Sequence, residues 1–278
     1  MTEIEFVDHL PVWPARPTDA HKGTFGTVIV VAGSVGMSGA AVLCGSAALR
    51  GGAGLVKLVV PELIAALVAV QQPCYMVAGA SWDRLDPVLE AARTADAVVA
   101  GPGLGRGPKV RELVGRLCEL DVPLVLDADA LNVLGMWPGV WRNRMAPTLI
   151  TPHPGEFARL TGQKGGERVA GAVELARREG VIVVLKGAGT VVTDGRRVFV
   201  NTTGNPGMAT GGTGDVLAGL LGALLAQGFS AFEAAQLAVY LHGRAGDQAR
   251  DRVGEVSLIA TDILDSLPVA IRQQTSRK

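Results

Sequence analysis

The apolar runs of this chain constrain its fold more than anything else, because they are short, β-branched and apolar at consecutive positions. Thr27-Val-Ile-Val-Val-Ala32, Leu55-Val-Lys-Leu-Val-Val60, Ala97-Val-Val-Ala100, Pro123-Leu-Val-Leu126, Thr148-Leu-Ile-Thr151 and Val181-Ile-Val-Val-Leu185 all have this character. A strand with one wet face alternates apolar and polar residues, so runs without alternation predict burial on both faces. Ala/Leu-rich stretches with helical character lie between them, at 39–50, 63–70, 87–94, 109–120, 156–160 and 167–179. Such alternation predicts an α/β fold with a doubly wound, mostly parallel sheet and helices on both faces. Thr190-Val-Val-Thr193 and Arg197-Val-Phe-Val200 flank Asp194-Gly195, a hairpin signal that adds an antiparallel edge. A short strand at 75–78 and helices at 213–226, 231–250 and 261–267 complete the pattern. No Pro/Ser-rich linker or repeat interrupts it, so one domain over residues 1–278 is expected.

Composition narrows the partners. Hydrophobic residues make up 48% and aromatics only 4%, with 37 glycines, which suits closely packed helices on a parallel sheet. Lys plus Arg equals Asp plus Glu at 26 each, and no basic stripe is evident, so no nucleic-acid partner is expected. No window approaches the roughly 20 apolar residues that span a bilayer, so no membrane partner is expected either. Cys44, Cys74 and Cys118 lack C-x-x-C spacing, and the first 20 residues carry acids and prolines, unlike a leader. A reducing, cytoplasmic location is the expectation.

Ligands of open α/β sheets bind beyond the carboxyl ends of the strands. Five successive strand ends carry Gly-Pro-Gly-Leu-Gly (101–105), Asp-Ala-Asp-Ala-Leu-Asn (127–132), Pro-His-Pro-Gly-Glu (152–156), Lys-Gly-Ala-Gly-Thr (186–190) and the glycine-rich loop from Asn201 to Asp215. That last loop opens an apolar helix. The free N–H groups at a helix start, with the dipole behind them, form an anion site. Gly211, Gly212, Thr213 and Gly214 are the candidate anion hole. Asp215 would repel a phosphate, so it reads better as a base beside one, ionised at neutral pH through the helix dipole; the competing reading is a helix N-cap. Gly33–Gly39 and Gly101–Gly105 both depart from the dinucleotide fingerprint, and no Gly-Lys-Ser/Thr marks a P-loop. His153, held between two prolines, is a functional candidate, whereas His242 in an Ala/Leu helix reads as structural or surface. Asp127, Asp129, Glu156 and Asp215 show no spacing for a dedicated metal cage, so no protein-borne metal is expected and any Mg²⁺ would arrive with a nucleotide.

Taken together, Gly204–Gly219, His21–Gly26, Ser38–Ala40, Gly101–Gly105, Asp127–Asn132, Thr151–Glu156 and Lys186–Thr190 resemble the ADP/ATP-dependent NAD(P)H-hydrate dehydratases of the ribokinase-like superfamily. They follow family order from about residue 20 to 250. The Gly-Gly-x-Gly-Asp element belongs to the whole superfamily, while Pro-His-Pro-Gly-Glu and Lys-Gly-Ala-Gly-Thr point to the dehydratase branch. The resemblance implies dehydration of the S-epimer of hydrated NADH and NADPH (NADHX and NADPHX). A nucleotide phosphorylates the ring hydroxyl, phosphate leaves, and the double bond returns; with ADP as co-substrate, AMP and phosphate are released. By the same resemblance Asp215 is the catalytic base. Lys186, Gly187, Ala188, Gly189, Thr190 and Gly214 contact the adenine nucleotide. Ala40, Gly103, Gly105, His153 and Asp215 contact the hydrated cofactor, although any of the three glycines of 101–105 could be the one touching it. A homotetramer and a separate epimerase protein are the implied partners. The alternative is a small-molecule kinase of the same superfamily, such as a hydroxyethylthiazole kinase, with a non-enzymatic nucleotide sensor ranked last.

Overall fold

The structure is a computed structural model that describes residues 4–135, 139–142, 144–162 and 167–276. Among these, ten strands form one sheet: β1 (Glu5–Phe6), β2 (Thr27–Val31), β3 (Leu55–Pro61), β4 (Met76–Ala80), β5 (Ala97–Ala100), β6 (Leu124–Leu126), β7 (Thr148–Ile150), β8 (Ile182–Leu185), β9 (Val191–Thr193) and β10 (Arg197–Val200). Their spatial order is β1-β10-β9-β8-β7-β6-β5-β2-β3-β4. Every neighbouring pair is parallel except β8–β9 and β9–β10, so β9 alone runs against the rest. The expected hairpin is therefore present, with β1 added outside it as a parallel edge strand that the sequence reading left unassigned.

The helices are α1 (Ser38–Arg50), α2 (Glu62–Ala69), α3 (Asp86–Arg93), α4 (Pro108–Cys118), α5 (Asp129–Leu134), α6 (Pro154–Thr161), α7 (Arg168–Glu179), α8 (Thr213–Ala226), α9 (Ala231–Val253) and α10 (Ala260–Thr275). They cover both faces. Val28 and Val30 of β2 enter one core with α1, α8, α9 and α10, while Ile29 and Val31 enter a second with α3, α4 and α7. That division is why the strand runs do not alternate. Two differences from the sequence reading have local causes. The stretch 129–134, assigned to no element from the sequence, is a short helix that starts at the strained Ala128. Helix α10 continues past Pro268, where 261–267 was expected, because Ile263, Leu267 and Ala270 bury one continuous face.

Two features of this fold place the functional rim. The chain runs from β2 outward to β3 and β4, then returns to β5 on the other side of β2. That reversal opens a crevice between the loops after β2 and β5. Helix α8 is brought unusually near the sheet by small residues. A Cβ on Gly219 would overlap the Cys44 carbonyl of α1, and one on Gly222 would overlap Val99 of β5. The helix carrying the glycine-rich loop thus has little room to move. Gly219→Ala is expected to cost about 1–3 kcal/mol by overpacking and to lower the thermal melting temperature by several degrees; an unchanged melt would contradict this packing.

Candidate active site

Strands β2, β5, β6, β7, β8 and β10 all end on the same rim, so the predicted loops meet there. At the crevice, Gly33 N–H donates to Pro102 O at 2.8 Å and the Ser34 hydroxyl donates to Gly103 O at 2.8 Å. Gly103 has φ 58°, and a Cβ there would come 2.8 Å from the Ala40 Cβ. Ala40 and Gly103 are therefore neighbours, as a shared ligand surface requires. Gly105, with φ 85°, faces open space, and its N–H donates to Asp129 Oδ2 at 2.9 Å.

Beyond β6 the backbone is strained. Ala128 has φ 49°, the one positive value among the described non-glycine residues. Such conformations cost on the order of 1–3 kcal/mol and collect at functional sites. Here the strain turns the flanking carboxylates to different partners. Asp127 takes Lys186 Nζ at 2.6 Å and the Thr151 hydroxyl at 2.6 Å. Asp129 takes Gly105, Arg106 Nε at 2.9 Å and Asn132 Nδ2 at 3.3 Å. Glu156 lies 3.9 Å from Lys186, and burial pushes its carboxyl up while Lys186 opposes. Burial alone would lower the Lys186 pKa, yet Asp127, Glu156 and Asp215 together hold it above the ordinary lysine value. The ammonium stays charged.

The loop from Asn201 into α8 is docked on α9. Asn201 Nδ2 donates to Val239 O at 3.1 Å, the Thr203 hydroxyl to Tyr240 O at 2.9 Å, and Gly204 N–H to Asp247 Oδ2 at 3.1 Å. Gly243 and Gly246 give the loop room, since side chains there would overlap Thr203 and Met208. His242 Nε2 lies 2.9 Å from Thr213 O, and burial depresses its pKa to about 4, so a neutral ring donates this bond. The N-cap of α8 is Gly212, at φ 90°, and the first helical bond runs from Val216 N–H to Gly212 O. The N–H groups of Gly212, Thr213 and Gly214 precede that ladder, and Asp215 is the third helical residue. Asp215 is thus not the cap.

Its charge state corrects the sequence expectation. Burial and the nearby Asp127 push the Asp215 pKa from its ordinary 3.8 to about 7, with Lys186 opposing and Asp129 adding to the rise. The helix dipole, which predicted an ionised group, is outweighed by desolvation and like charge. Gly214 lies beside the central ion pair: a Cβ there would sit 3.4 Å from Lys186 Nζ and 3.7 Å from Asp127 Oδ2. Lys186 and Gly214 are thus adjacent, while Gly187, Ala188, Gly189 and Thr190 form an exposed lip closed by the Thr190 hydroxyl donating to Gly187 O at 2.9 Å.

His153 caps α6. Its Nδ1 accepts from Gly155 N–H at 2.9 Å and Glu156 N–H at 3.3 Å, and Glu156 Oε2 accepts from His153 N–H at 2.9 Å. Its side chain is half exposed on the rim. Arg168, the first residue of α7, was not picked out from the sequence. It donates to Leu185 O at 3.1 Å, Lys186 O at 3.2 Å and Ala188 O at 2.8 Å, so one guanidinium holds the whole 185–188 turn. Asp247, Gly243 and Gly246 were missed as well. Their signal is small residues three apart on a long helix, with an acid on the same side. Among the described residues no cluster of three or more His, Cys, Asp or Glu suits a metal ion.

A glycine-rich loop opening α8, a carboxylate in the first turn of that helix and a doubly wound sheet define a ribokinase-like architecture. A family model described as NAD(P)H-hydrate dehydratase matches residues 28–269, and the chain belongs to that family. It is 44% identical over 265 residues to an ADP-dependent (S)-NAD(P)H-hydrate dehydratase of Neisseria meningitidis, covering 91% of this chain and 87% of that one. It is 43% identical over 274 residues to a bifunctional NAD(P)H-hydrate repair enzyme of Moorella thermoacetica, covering 93% of this chain but 52% of the relative. The chain spans about half the length of most of the curated relatives it matches. The crystal structure of an ADP/ATP-dependent NAD(P)H-hydrate dehydratase from Bacillus subtilis, co-crystallised with ATP/Mg²⁺, superposes with a TM-score of 0.85 at 33% identity over 95% of both chains. A ribokinase-like superfamily protein of Enterococcus faecalis superposes with a TM-score of 0.84 at 27% identity, over 98% of this chain and 96% of that one.

The raised pKa of Asp215 has a stability consequence. Folded Asp215 keeps its proton up to about pH 7, whereas the unfolded chain releases it near 3.8. The folded state then binds more protons between these values, and stability falls as pH rises through about 7. Asp215→Asn removes that penalty, on the order of a few kcal/mol at most. The variant is expected to melt above wild type at pH 8, with the gap closing as pH falls to 4. A gap independent of pH would show that Asp215 is not desolvated.

Proposed function

We propose that this protein dehydrates the S-epimer of hydrated NADH and NADPH with ADP as co-substrate, giving AMP and phosphate. The observation that carries the reading is Asp215, a carboxylate poised to titrate at about 7, seated within an anion hole and beside a charged lysine. A base performs best when its pKa lies near the working pH. In this proposal Asp215 takes the proton of the ring hydroxyl as its oxygen bonds to the terminal phosphorus of ADP. The bond between that phosphorus and the bridging oxygen breaks, and AMP leaves. Cleavage of the ring C–O bond then releases phosphate, a proton leaves the neighbouring ring carbon, and the double bond is restored.

Positioning and charge stabilisation supply most of the rate in phosphoryl transfer. Lys186, held by Asp127, offers a fixed positive charge, and the N–H groups of Gly211–Gly214 are proposed to hold the moving phosphoryl oxygens. The exposed 187–190 lip, steadied by Arg168, is proposed to receive the adenine nucleotide. Ala40, Gly103, Gly105 and His153 are proposed to receive the hydrated ring and its ribose. Mg²⁺ needs one or two carboxylates plus substrate phosphates. Asp127 Oδ2, beside Gly214, would suit a nucleotide-borne ion, which would neutralise charge on the phosphates.

The whole chain is proposed to work as one domain, in the cytoplasm, and as a homotetramer. No helix among the described residues is long and apolar enough to cross a membrane. Leu63, Leu67 and Val70 at the exposed side of α2, with Met76 on the edge strand β4, form an apolar stripe that favours assembly. Relatives named as bifunctional agree with a second repair activity acting beside this one, proposed here to be an epimerase.

Incubation with ADP and hydrated NADH is expected to restore absorbance at the reduced-nicotinamide band; a kinase of the same fold would accumulate a phosphoester and restore none. The rate with saturating ADP should rise with pH and level off above about 7, since the base must be unprotonated. Asp215→Asn should abolish turnover while leaving ADP binding within a few-fold of wild type. Normal turnover in that variant sinks the assignment.

A further inference from the structure

The neutral chain gathers two arginines around a single carboxylate at one side of the rim. Arg106 follows Gly105, and its Nε donates to Asp129 Oδ1 at 2.9 Å while its side chain stays 66% exposed. Arg159, on α6, donates from Nη2 to Asn132 Oδ1 at 2.8 Å and is exposed. Asn132 in turn donates to Asp129 at 3.3 Å. The two guanidiniums therefore flank a single unit at the start of α5, made of buried Asp129 and half-buried Asn132. Among the described residues Asp129 is the one carboxylate bonded to either, and it is shared with the Gly105 N–H. Two positive charges face one negative charge.

The way each arginine is held matters more than the count. Arg106 is anchored through Nε on a largely exposed side chain, and that bond uses neither terminal NH₂ group, the fork that matches a phosphate in bidentate fashion. Arg159 spends one donor on a neutral amide, so its charge is not cancelled. Arginines that only decorate a surface pair with acids at variable geometry. These two are instead fixed by polar groups that are themselves buried or bonded. Both adjoin residues proposed to meet the hydrated cofactor. Arg106 adjoins Gly105, and a Cβ on Gly155 would lie 2.8 Å from the His153 ring and 3.8 Å from Arg159 Nη1. The nucleotide lip and anion hole follow β8 and β10, farther along the rim.

We propose that Arg106 and Arg159 form a phosphate clamp for the hydrated dinucleotide, with Asp129 and Asn132 as the residues that position it. The proposal rests on the dehydratase reading for the identity of the dinucleotide. The shared chemistry is a phosphate, which in this substrate comes either from the pyrophosphate bridge or from the 2′-phosphate of the NADP form. No group of this clamp touches the transferred phosphoryl group. Its loss should therefore act on dinucleotide binding and not on ADP.

Arg106→Gln, Arg159→Gln and the double variant, each checked by thermal melt, would be assayed with ADP and either hydrated NADH or hydrated NADPH. Binding of NADH, NADPH and inorganic pyrophosphate would be titrated in parallel. A charge-assisted bond lost to each variant should raise the dinucleotide KM about tenfold, with the larger share of the loss in KM and not in kcat. Equal losses on both dinucleotides, with weaker pyrophosphate binding, place the pyrophosphate in the clamp. A loss confined to the NADP form places the 2′-phosphate there. An unchanged dinucleotide KM in the double variant overturns the proposal, and so does a rise in the ADP KM alone. Should the wild type not restore hydrated NADH with ADP, the dehydratase reading fails. The clamp is then judged on NADPH and pyrophosphate binding alone: weakened binding in the variants sustains it, and equal or absent binding ends it.

Discussion

Much of the site depends on one buried ion pair, Lys186 with Asp127. It joins the ends of β6 and β8, and through Thr151 the end of β7, at a distance of 2.6 Å on both sides. Removing two charges from water is costly, and breaking such a pair from one side commonly costs about 3–5 kcal/mol. The pair is tolerable because Thr151 completes the hydrogen bonding of Asp127 and Glu156 adds a second carboxylate near the ammonium. It also fixes the electrostatics of the rim. The same two groups pull Asp215 in opposite directions, and the balance with desolvation leaves that carboxyl near neutrality. A site with Asp127 removed would keep its glycines and Asp215 but lose the charge arrangement between them.

That arrangement depends on backbone proximity as much as on charge. Asp215 reaches the pair only because α8 begins directly above it, and α8 begins there because Gly219 and Gly222 let the helix lie against α1 and β5. On the other side, Gly243 and Gly246 let the Asn201–Gly212 loop settle on α9, where His242 and Asp247 tie it down. The loop is therefore held from two directions before any ligand arrives. Pre-positioned N–H groups need no reorganisation when charge develops on a phosphoryl group, which is the condition under which they contribute most. Sequence, packing and chemistry meet in the same small residues.

The sheet, its hairpin and the loops at the strand ends were legible in the sequence because each has a local signal: unbroken apolar runs, Asp194-Gly195, and Gly or Pro directly after a strand. The failures share a cause. Helix α5 carries no such signal, because Asp-Ala-Asp-Ala-Leu-Asn is short and the strain at Ala128 that starts it leaves no mark on residue type. The charge of Asp215 was misjudged because the nearby dipole is visible in sequence, whereas Asp127 is distant along the chain and close only in the fold. Arg168 was passed over for the same reason. Its three carbonyl partners lie on the turn after the next strand, and nothing beside it in the chain announces them. His153 shows the converse: its flanking prolines marked it, and the structure gives it a capping role that residue type alone did not favour.

The rim divides into two halves of different chemistry. From β8 to β10 the contacts are backbone N–H groups, a glycine-rich lip and a single fixed ammonium. Such groups recognise phosphate without regard to what carries it, as suits an element common to a superfamily. From β2 to β7 the surface is made of side chains and close small residues: Ala40 against Gly103, Gly105 on Asp129, His153 on Glu156. Shape and hydrogen bonding there depend on individual residues, so under the proposed function this is the end that would select the acceptor. The Lys186–Asp127 pair lies at the junction beside Asp215, so under the proposed function the two partners would meet there while each is held by different physics.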